Sequence, residues 1–325
     1  MAGLTTGTTP LLIRSNVWSN QLKDVLIDEL NAQGYVDWMP MPDTGATLNI
    51  PSMGDLDVND YAEDQPVQYT ALATGNFQFS ITEYLSSATY ITMKERQDSM
   101  YAARLEASFV PKQARAISVR LEGDILDQGQ PGTPNGQTAS SANQINGADH
   151  RWVGSDTANS NRTLGFKDFA KALFALKKAN VPQTNLIAIV DPSVEYHFNT
   201  LSDTLTVTYN PMWEGILKTS IATGMRFSRN IYGFDVYVSN YVSTIAAGET
   251  INSVSSGTNA VANIFCSLAP DVKPFIGSWA QTPKVDSEFN KDFQREEYVT
   301  TCRYGVKLFR PENFVTVLSS TNVIA

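Results

Sequence analysis

The sequence predicts an α+β fold, on three observations. Ala46–Ile50 and Asn76–Thr82 alternate apolar and polar residues, the period of a half-buried strand, with about twenty-five polar and acidic residues between them. Met93–Leu126 instead steps its apolar residues at helical spacing. Leu186–Val190 is an unbroken apolar run, as in a strand covered on both faces, and extended, β-branched stretches recur toward the C-terminus. At 325 residues, and roughly 150 per domain, about two domains are expected. A hydrophobic content of 42% is enough for a real core.

Each element follows from local chemistry. Residues 1–35 begin as a Thr/Gly-rich tail and lead into a short amphipathic helix. Ser15 or Asn16 can cap it, Val17, Leu22, Val25, Leu26 and Leu30 fall near helical spacing, and Gly34 ends it. From Tyr35 to Leu85, four prolines and several Gly and Asp turns surround the two alternating stretches, which read as a long β-hairpin with a wide tip. An isolated hairpin is marginal in water, so this one needs a surface to lie on.

In the helical stretch, Val110, Ala114, Ile117, Leu121 and Ile125 form one apolar face, and Pro111 predicts a kink or a fresh helix start. Residues 128–162, rich in Gly, Asn, Ser and Thr, read as one long flexible loop. Next comes a helix capped by Thr163, with Phe166, Phe169, Ala170, Leu173 and Leu176 on one face and Asn180-Val181-Pro182 as its stop. Asp191-Pro192 opens another short helix. Strands are expected at 205–209, 234–238 and 261–268, with a Ser/Thr/Gly loop at 243–260. The closing strands are expected at Gln294–Arg303, Val306–Phe309 and Phe314–Leu318, broken at Tyr304-Gly305 and at Arg310-Pro311.

The charge is unevenly placed. Between Lys23 and Lys94 there is no Lys or Arg but eleven acids, Asp55, Asp57, Asp60, Glu63 and Asp64 among them. That segment carries −11; since the whole chain carries −9, the remainder carries +2. Such a balance disfavours nonspecific DNA binding and a basic membrane-surface role. No apolar run approaches the ~20 residues of a membrane helix, and the first residues lack the pattern of a signal peptide, so a soluble protein made in a cytoplasm is expected. The two cysteines, Cys266 and Cys302, sit in apolar, strand-like runs and read as buried free thiols.

Chemistry-bearing motifs are scarce. There is no phosphate-binding glycine loop, dinucleotide fingerprint or nucleophile elbow, and two histidines without a Cys-x-x-Cys leave a zinc site almost no ligands. Asp149-His150 lies in the Gly/Asn/Ser-rich stretch and reads as plain surface loop. His197 reads as a packed or surface residue of a short helix. The acids from 55 to 64 lack the order of an EF-hand and read as a solvated or partner-facing loop. No cofactor, metal or catalytic residue is called for, and an inventory this empty argues against an enzyme.

Four stretches, in order, carry a resemblance. Phe77–Leu126, a hairpin strand running into a long helix that ends Gly123-Asp124-Ile125-Leu126, is the first. Phe169–Pro192 is the second, Gly233–Asn240 the third, and Tyr304–Glu312 the fourth. Together they resemble the major capsid protein of tailed bacteriophages, the Hong Kong 97-type (HK97-like) capsid fold, over nearly the whole chain.

The resemblance implies an N-arm over 1–35, an extended E-loop hairpin over 36–85, and a spine helix over 86–127 beginning the peripheral domain. It further implies an axial domain over 128–270 and closing strands of both domains over 271–325. It implies a structural subunit that self-assembles as hexamers and pentamers into an icosahedral shell around double-stranded phage DNA, held without sequence-specific contacts. A separate scaffolding protein, a portal protein and a cement or decoration protein are the implied partners, with no membrane. The implied location is the virion capsid, after assembly in the host bacterial cytoplasm. Some relatives crosslink through a Lys–Asn isopeptide, but with no Lys between 24 and 93 this hairpin cannot supply that lysine.

Within that frame the acidic hairpin acquires a candidate role: Asp55, Asp57, Asp60, Glu63 and Asp64 would meet Lys94, Arg96, Arg104, Lys112, Arg115 and Arg120 of an adjacent subunit. Exposed pairs contribute only ~0–1 kcal/mol each, so charge would set register while apolar burial supplies affinity. Two alternatives remain: an encapsulin-like nanocompartment shell, and a soluble two-domain α/β enzyme.

Overall fold

The computed structural model describes residues 30–40, 47–129, 142–201 and 230–321, apart from 31, 55, 57, 61–62, 68, 73, 100–101, 159–160, 246–248 and 257–258. The N-terminal helix expected before Leu30 and the strand expected at 205–209 lie outside the described residues.

The first layer is a four-stranded sheet. Strand β1 (Val36–Pro40) is followed by the hairpin strands β2 (Thr47–Met53) and β3 (Thr74–Ser80), and then by β4 (Glu83–Thr92). Late in the chain come β9 (Phe275–Asn290) and β10 (Arg295–Leu308), which pair with β1 and β4 in the order β1-β9-β10-β4. The hairpin β2–β3 is a separate two-stranded sheet, with Leu48 opposite Phe79 and Ile50 opposite Phe77. Both expected hairpin strands are present. The sequence reading ran the hairpin straight into the helix, however, and β4 with a short helix α1 (Met93–Asp98) stands between them.

The spine is helix α2 (Ala102–Leu126). The break expected at Pro111 falls earlier, before Ala102, and Pro111 sits inside a continuous helix. The expected apolar face is half right. Ile117, Leu121 and Ile125 are buried, whereas Val110 and Ala114 are exposed. Upstream, the face turned to the sheet carries the buried Gln113, which bonds across to β10: its amide donates to the Tyr298 carbonyl at 3.0 Å and accepts from Thr300 Oγ1 at 2.8 Å.

The second layer is a seven-stranded sheet. Its main strands are β5 (Arg151–Val153), β6 (Leu186–Val190), β7 (Phe234–Val238), β8 (Ala260–Ser267) and β11 (Val315–Ser320). They run β7-β6-β8-β11-β5, with Asn230–Ile231 added outside β7 and Thr244–Ile245 pairing β8. β6 is buried at every residue, as its apolar run predicts, because both faces are covered. Ile187 and Ile189 face the end of α2 and the first sheet. Leu186, Ala188 and Val190 face helices α3 (Phe166–Lys178) and α4 (Pro192–Leu201). On that side Phe169 meets Phe265 edge-on at 5.0 Å, and Phe234 meets Phe265 at 5.4 Å.

Several expectations are corrected here. The stretch 128–162 is no structureless loop where it is described. Gln144–Ile145 and Ala148–Asp149 form a hairpin over Asn146-Gly147, both at positive φ, and β5 joins the main sheet beside β11. Thr163 does not cap α3 but is buried in the strand Asn161–Thr163; the cap is Gly165, whose N–H donates to Asp168 Oδ2 at 2.8 Å. Asp168 also accepts from Trp152 Nε1 and the Ser155 N–H, tying β5 to α3. Ala170, placed on the apolar face of α3, is exposed; Ala172 and Ala175 take the buried positions. Finally, β10 runs unbroken through Tyr304-Gly305, and β9, the longest strand, begins where no strand was expected.

Candidate functional site

The residues most exposed against their own chemistry are in the hairpin. Val58 is 98% exposed and Tyr69 96%, with Met53, Leu56 and Val67 also largely in water. Exposed apolar residues that cluster on one projecting element mark an interaction surface, since scattered ones need no explanation. Among the described residues the hairpin strands pair only with each other. Their contact with the body is at the root, where Phe79 and Ile81 pack with Ile276, joined by Met39, Leu48, Ile50, Phe77 and Phe309.

The faces of β10 explain how the hairpin and spine stay apart. Cys302, Tyr304 and Leu308 point into the core shared with α2, whereas Gly305, Lys307 and Phe309 meet the hairpin root on the opposite face. On the spine side, Tyr304 Oη donates to Asp124 Oδ2 at 2.6 Å, and the Ala32 N–H donates to Glu122 Oε2 at 2.8 Å. Burial raises the Asp124 carboxyl above its usual range, against the Tyr304 hydrogen bond and Arg120, which favour the anion. Burial likewise raises the Tyr304 phenol, reinforced by the Asp124 carboxylate.

The residues singled out from sequence are dispersed. Asp60, Glu63 and Asp64 are exposed on the hairpin tip, while Asp55 and Asp57 lie outside the described residues. Lys94 is exposed on α1. Arg96 pairs within its own subunit, with Glu106 at 3.1 Å and Glu296 at 2.8 Å. Arg120 pairs with Asp124 one turn along α2, at 3.1 Å. Lys112 is exposed and Arg115 half-buried on α2, and the Arg104 side chain is outside the described set. At least two of the proposed cations, Arg96 and Arg120, are thus already engaged by acids of the same chain.

The titratable residues elsewhere look structural. His150, read as a surface loop residue, is buried; burial lowers its pKa against the neighbouring Ala148 and Glu312 backbone groups. His197 is packed as expected. Its Nε2 lies 3.2 Å from both Thr163 Oγ1 and Asp156 Oδ2, so a single ring nitrogen meets both groups, unlike a nucleophile–base–acid relay. Both cysteines are free and buried, and burial raises both thiols, the opposite of a reactive thiolate. The buried Arg151 pairs with Glu249, fastening the 243–260 segment to the sheet edge. No group of His, Cys, Asp or Glu among the described residues could hold a metal, and no described helix is long and apolar enough to cross a membrane.

Sequence reasoning missed the root residues Gly305, Lys307 and Phe309. Their signal was present in Tyr304–Glu312, but a glycine inside an extended run reads as a break until a second chain segment is seen lying on it.

Two sheets around a spine helix, with a self-paired hairpin projecting from one face, define the Hong Kong 97-type shell subunit, and solved capsids share the architecture. The structure is similar to the capsid of cyanophage P-SCSP1u (TM-score 0.70, 13% identity, covering 98% of this chain and 95% of that one). It is also similar to bacteriophage PhiM1 mature capsid (0.67, 13%, 96% and 93%) and to Mycobacterium phage Che8 (0.64, 15%, 94% and 97%). The phage capsid protein family model matches residues 79–317, and the chain belongs to that family. It is a structural major capsid protein, a component of the virion shell. A comparison with curated protein sequences finds no match.

Proposed function

We propose that this chain closes, as hexamers and pentamers, into an icosahedral shell around double-stranded phage DNA, and that it has no catalytic role. The observation that carries this reading is the β2–β3 hairpin: a two-stranded sheet with apolar residues in water is unfinished in one subunit, and a neighbouring copy is the surface that completes it. Many modest contacts repeated around a closed shell give avidity without any one strong interface. Assembly takes place in the host cytoplasm with a separate scaffolding protein and a portal, and a cement or decoration protein can bind the finished shell.

In the same reading residues 36–85 reach over the neighbour, 86–127 with the closing strands form the peripheral domain, and 128–270 form the axial domain. The tip acids Asp60, Glu63 and Asp64, with Asp55 and Asp57, set register against a neighbour's basic groups. Lys94 is the exposed candidate, since Arg96 and Arg120 are held at home. Expression of the full chain with its co-encoded scaffold, followed by sedimentation and electron microscopy, tests the reading: megadalton closed particles are expected, and a small soluble oligomer would overturn it. The register role is tested by Asp60→Lys, Glu63→Lys and Asp64→Lys combined. Normal shells from that variant would remove charge from the account while leaving the shell itself standing.

A further inference from the structure

We infer that Gly305, Lys307 and Phe309 form a socket on β10 that sets the direction in which the β2–β3 hairpin leaves the body, making them positioning residues for assembly. The inference rests on the shell reading above and adds to it a mechanical part.

The socket follows from the alternation of a strand. Residues 305, 307 and 309 lie on or next to the face of β10 turned away from α2, and each meets a different part of the hairpin root. Gly305 lacks a side chain where the root crosses. A Cβ there would sit 3.1 Å from Ile81 Cα, from the Ser80 carbonyl oxygen and from Phe79 Cζ. Two of those atoms are backbone and the third belongs to a ring that is 1% exposed, so none can swing aside cheaply. Next, Lys307 Nζ donates to the Gln78 carbonyl at 3.0 Å and lies 4.9 Å from the centre of the Phe77 ring. Phe309 then meets Phe77 edge-on at 5.0 Å.

Three contacts in step along the end of β10 and the residue that follows it fix both a position and an angle; a single contact would act as a pivot. The hairpin is several residues long in each strand, so a small rotation at the root becomes a large displacement at the tip. A subunit whose hairpin points wrongly can fold and still fail to reach its neighbour's surface.

The test uses the full chain before assembly, spin-labelled through Asp60→Cys at the tip and Glu312→Cys on the body, with the tip-to-body distance distribution read by pulsed electron resonance. Gly305→Ala and, separately, Lys307→Met are expected to shift or broaden that distribution while the thermal melt moves by only a few degrees. Lys307→Arg, which keeps a charged donor, is expected to restore it. In assembly the two disruptive variants should give at least tenfold fewer closed shells than the parent, or shells of altered diameter. An unchanged distance distribution in both variants would overturn the inference. So would unchanged shell yield and size alongside a displaced hairpin. If Gly305→Ala fails to fold, Lys307→Met decides, because it leaves the backbone packing intact. Failure of the parent chain to form shells would instead count against the shell reading and leave the hairpin distances as the test of the socket.

Discussion

The seven-stranded sheet and the β2–β3 hairpin are both built from strands that carry apolar side chains, and they end in opposite states. In the sheet, β6, β8 and β11 are buried at every residue, because α3 and α4 cover one face and the end of α2 covers the other. Of the hairpin's described side chains only Phe79 is buried, and apolar residues at the tip stand in water. The first region is complete within one subunit, so its energetics are those of a core. In the proposed reading the second is left for a neighbour, so its energetics would become visible in assembly. On that reading stability and assembly are separable, and substitutions can be sorted by which of the two they move.

The largest effect on the subunit itself is expected at the aromatic centre of the sheet. Phe265→Ala removes a ring touching both Phe169 and Phe234 and should cost ~3–5 kcal/mol by chemical denaturation. A loss below about 1 kcal/mol would mean the core there collapses and refills.

Next comes the buried pair at the sheet edge. Glu249→Gln takes the charge partner from the buried Arg151 and should cost about 3 kcal/mol, because an uncompensated buried charge is expensive. The same change at an exposed pair such as Lys284–Asp286, through Asp286→Asn, should be nearly silent and serves as the control.

At the hairpin the sign of the comparison inverts. Val58→Ser combined with Tyr69→Ser should change subunit stability by less than about 0.5 kcal/mol, as exposed positions do, yet sharply reduce the yield of closed shells. Equal losses of both would show that the tip folds back on its own subunit.

The smallest effect separates the two regions by pH. Burial lowers the pKa of His150 in the folded chain, so the native state binds fewer protons than the unfolded one. Its contribution is full above the ordinary value of 6.5 and is lost as pH falls below it toward the lowered value. Parallel melts of the parent and His150→Asn between pH 7.5 and 5 should show the parent losing ground to the variant on acidification. A constant gap between them would exclude His150 as the source.

The legible parts of the sequence were those where a local pattern and its environment coincide. Leu186–Val190 is apolar without interruption, and both faces are covered. The alternation of Ala46–Ile50 and Asn76–Thr82 is that of a hairpin, and the pairing of Leu48 with Phe79 bears it out. Asn146-Gly147 carried a strong hairpin signal in the stretch read as loop, but polar neighbours masked it. The spine failed differently: Val110 and Ala114 keep helical spacing, yet the sheet meets α2 along a line through Gln113, whose amide bonds to β10. A buried polar residue with its partners supplied looks exposed in sequence.

By itself the sequence determined the helix and strand types, the acidic, lysine-free hairpin and the absence of recognisable catalytic motifs, because these depend on periodicity and composition over neighbouring residues. Only the tertiary structure decided that β9 and β10 run long and unbroken, that His150 and Arg151 are buried, that Arg96 and Arg120 are paired at home, and that Gly305 is a seat and not a break. Each of those depends on which distant segment lies against the residue. For Gly305 that segment is Phe79–Ile81, more than two hundred residues earlier in the chain, brought onto β10 by the pairing of the first sheet.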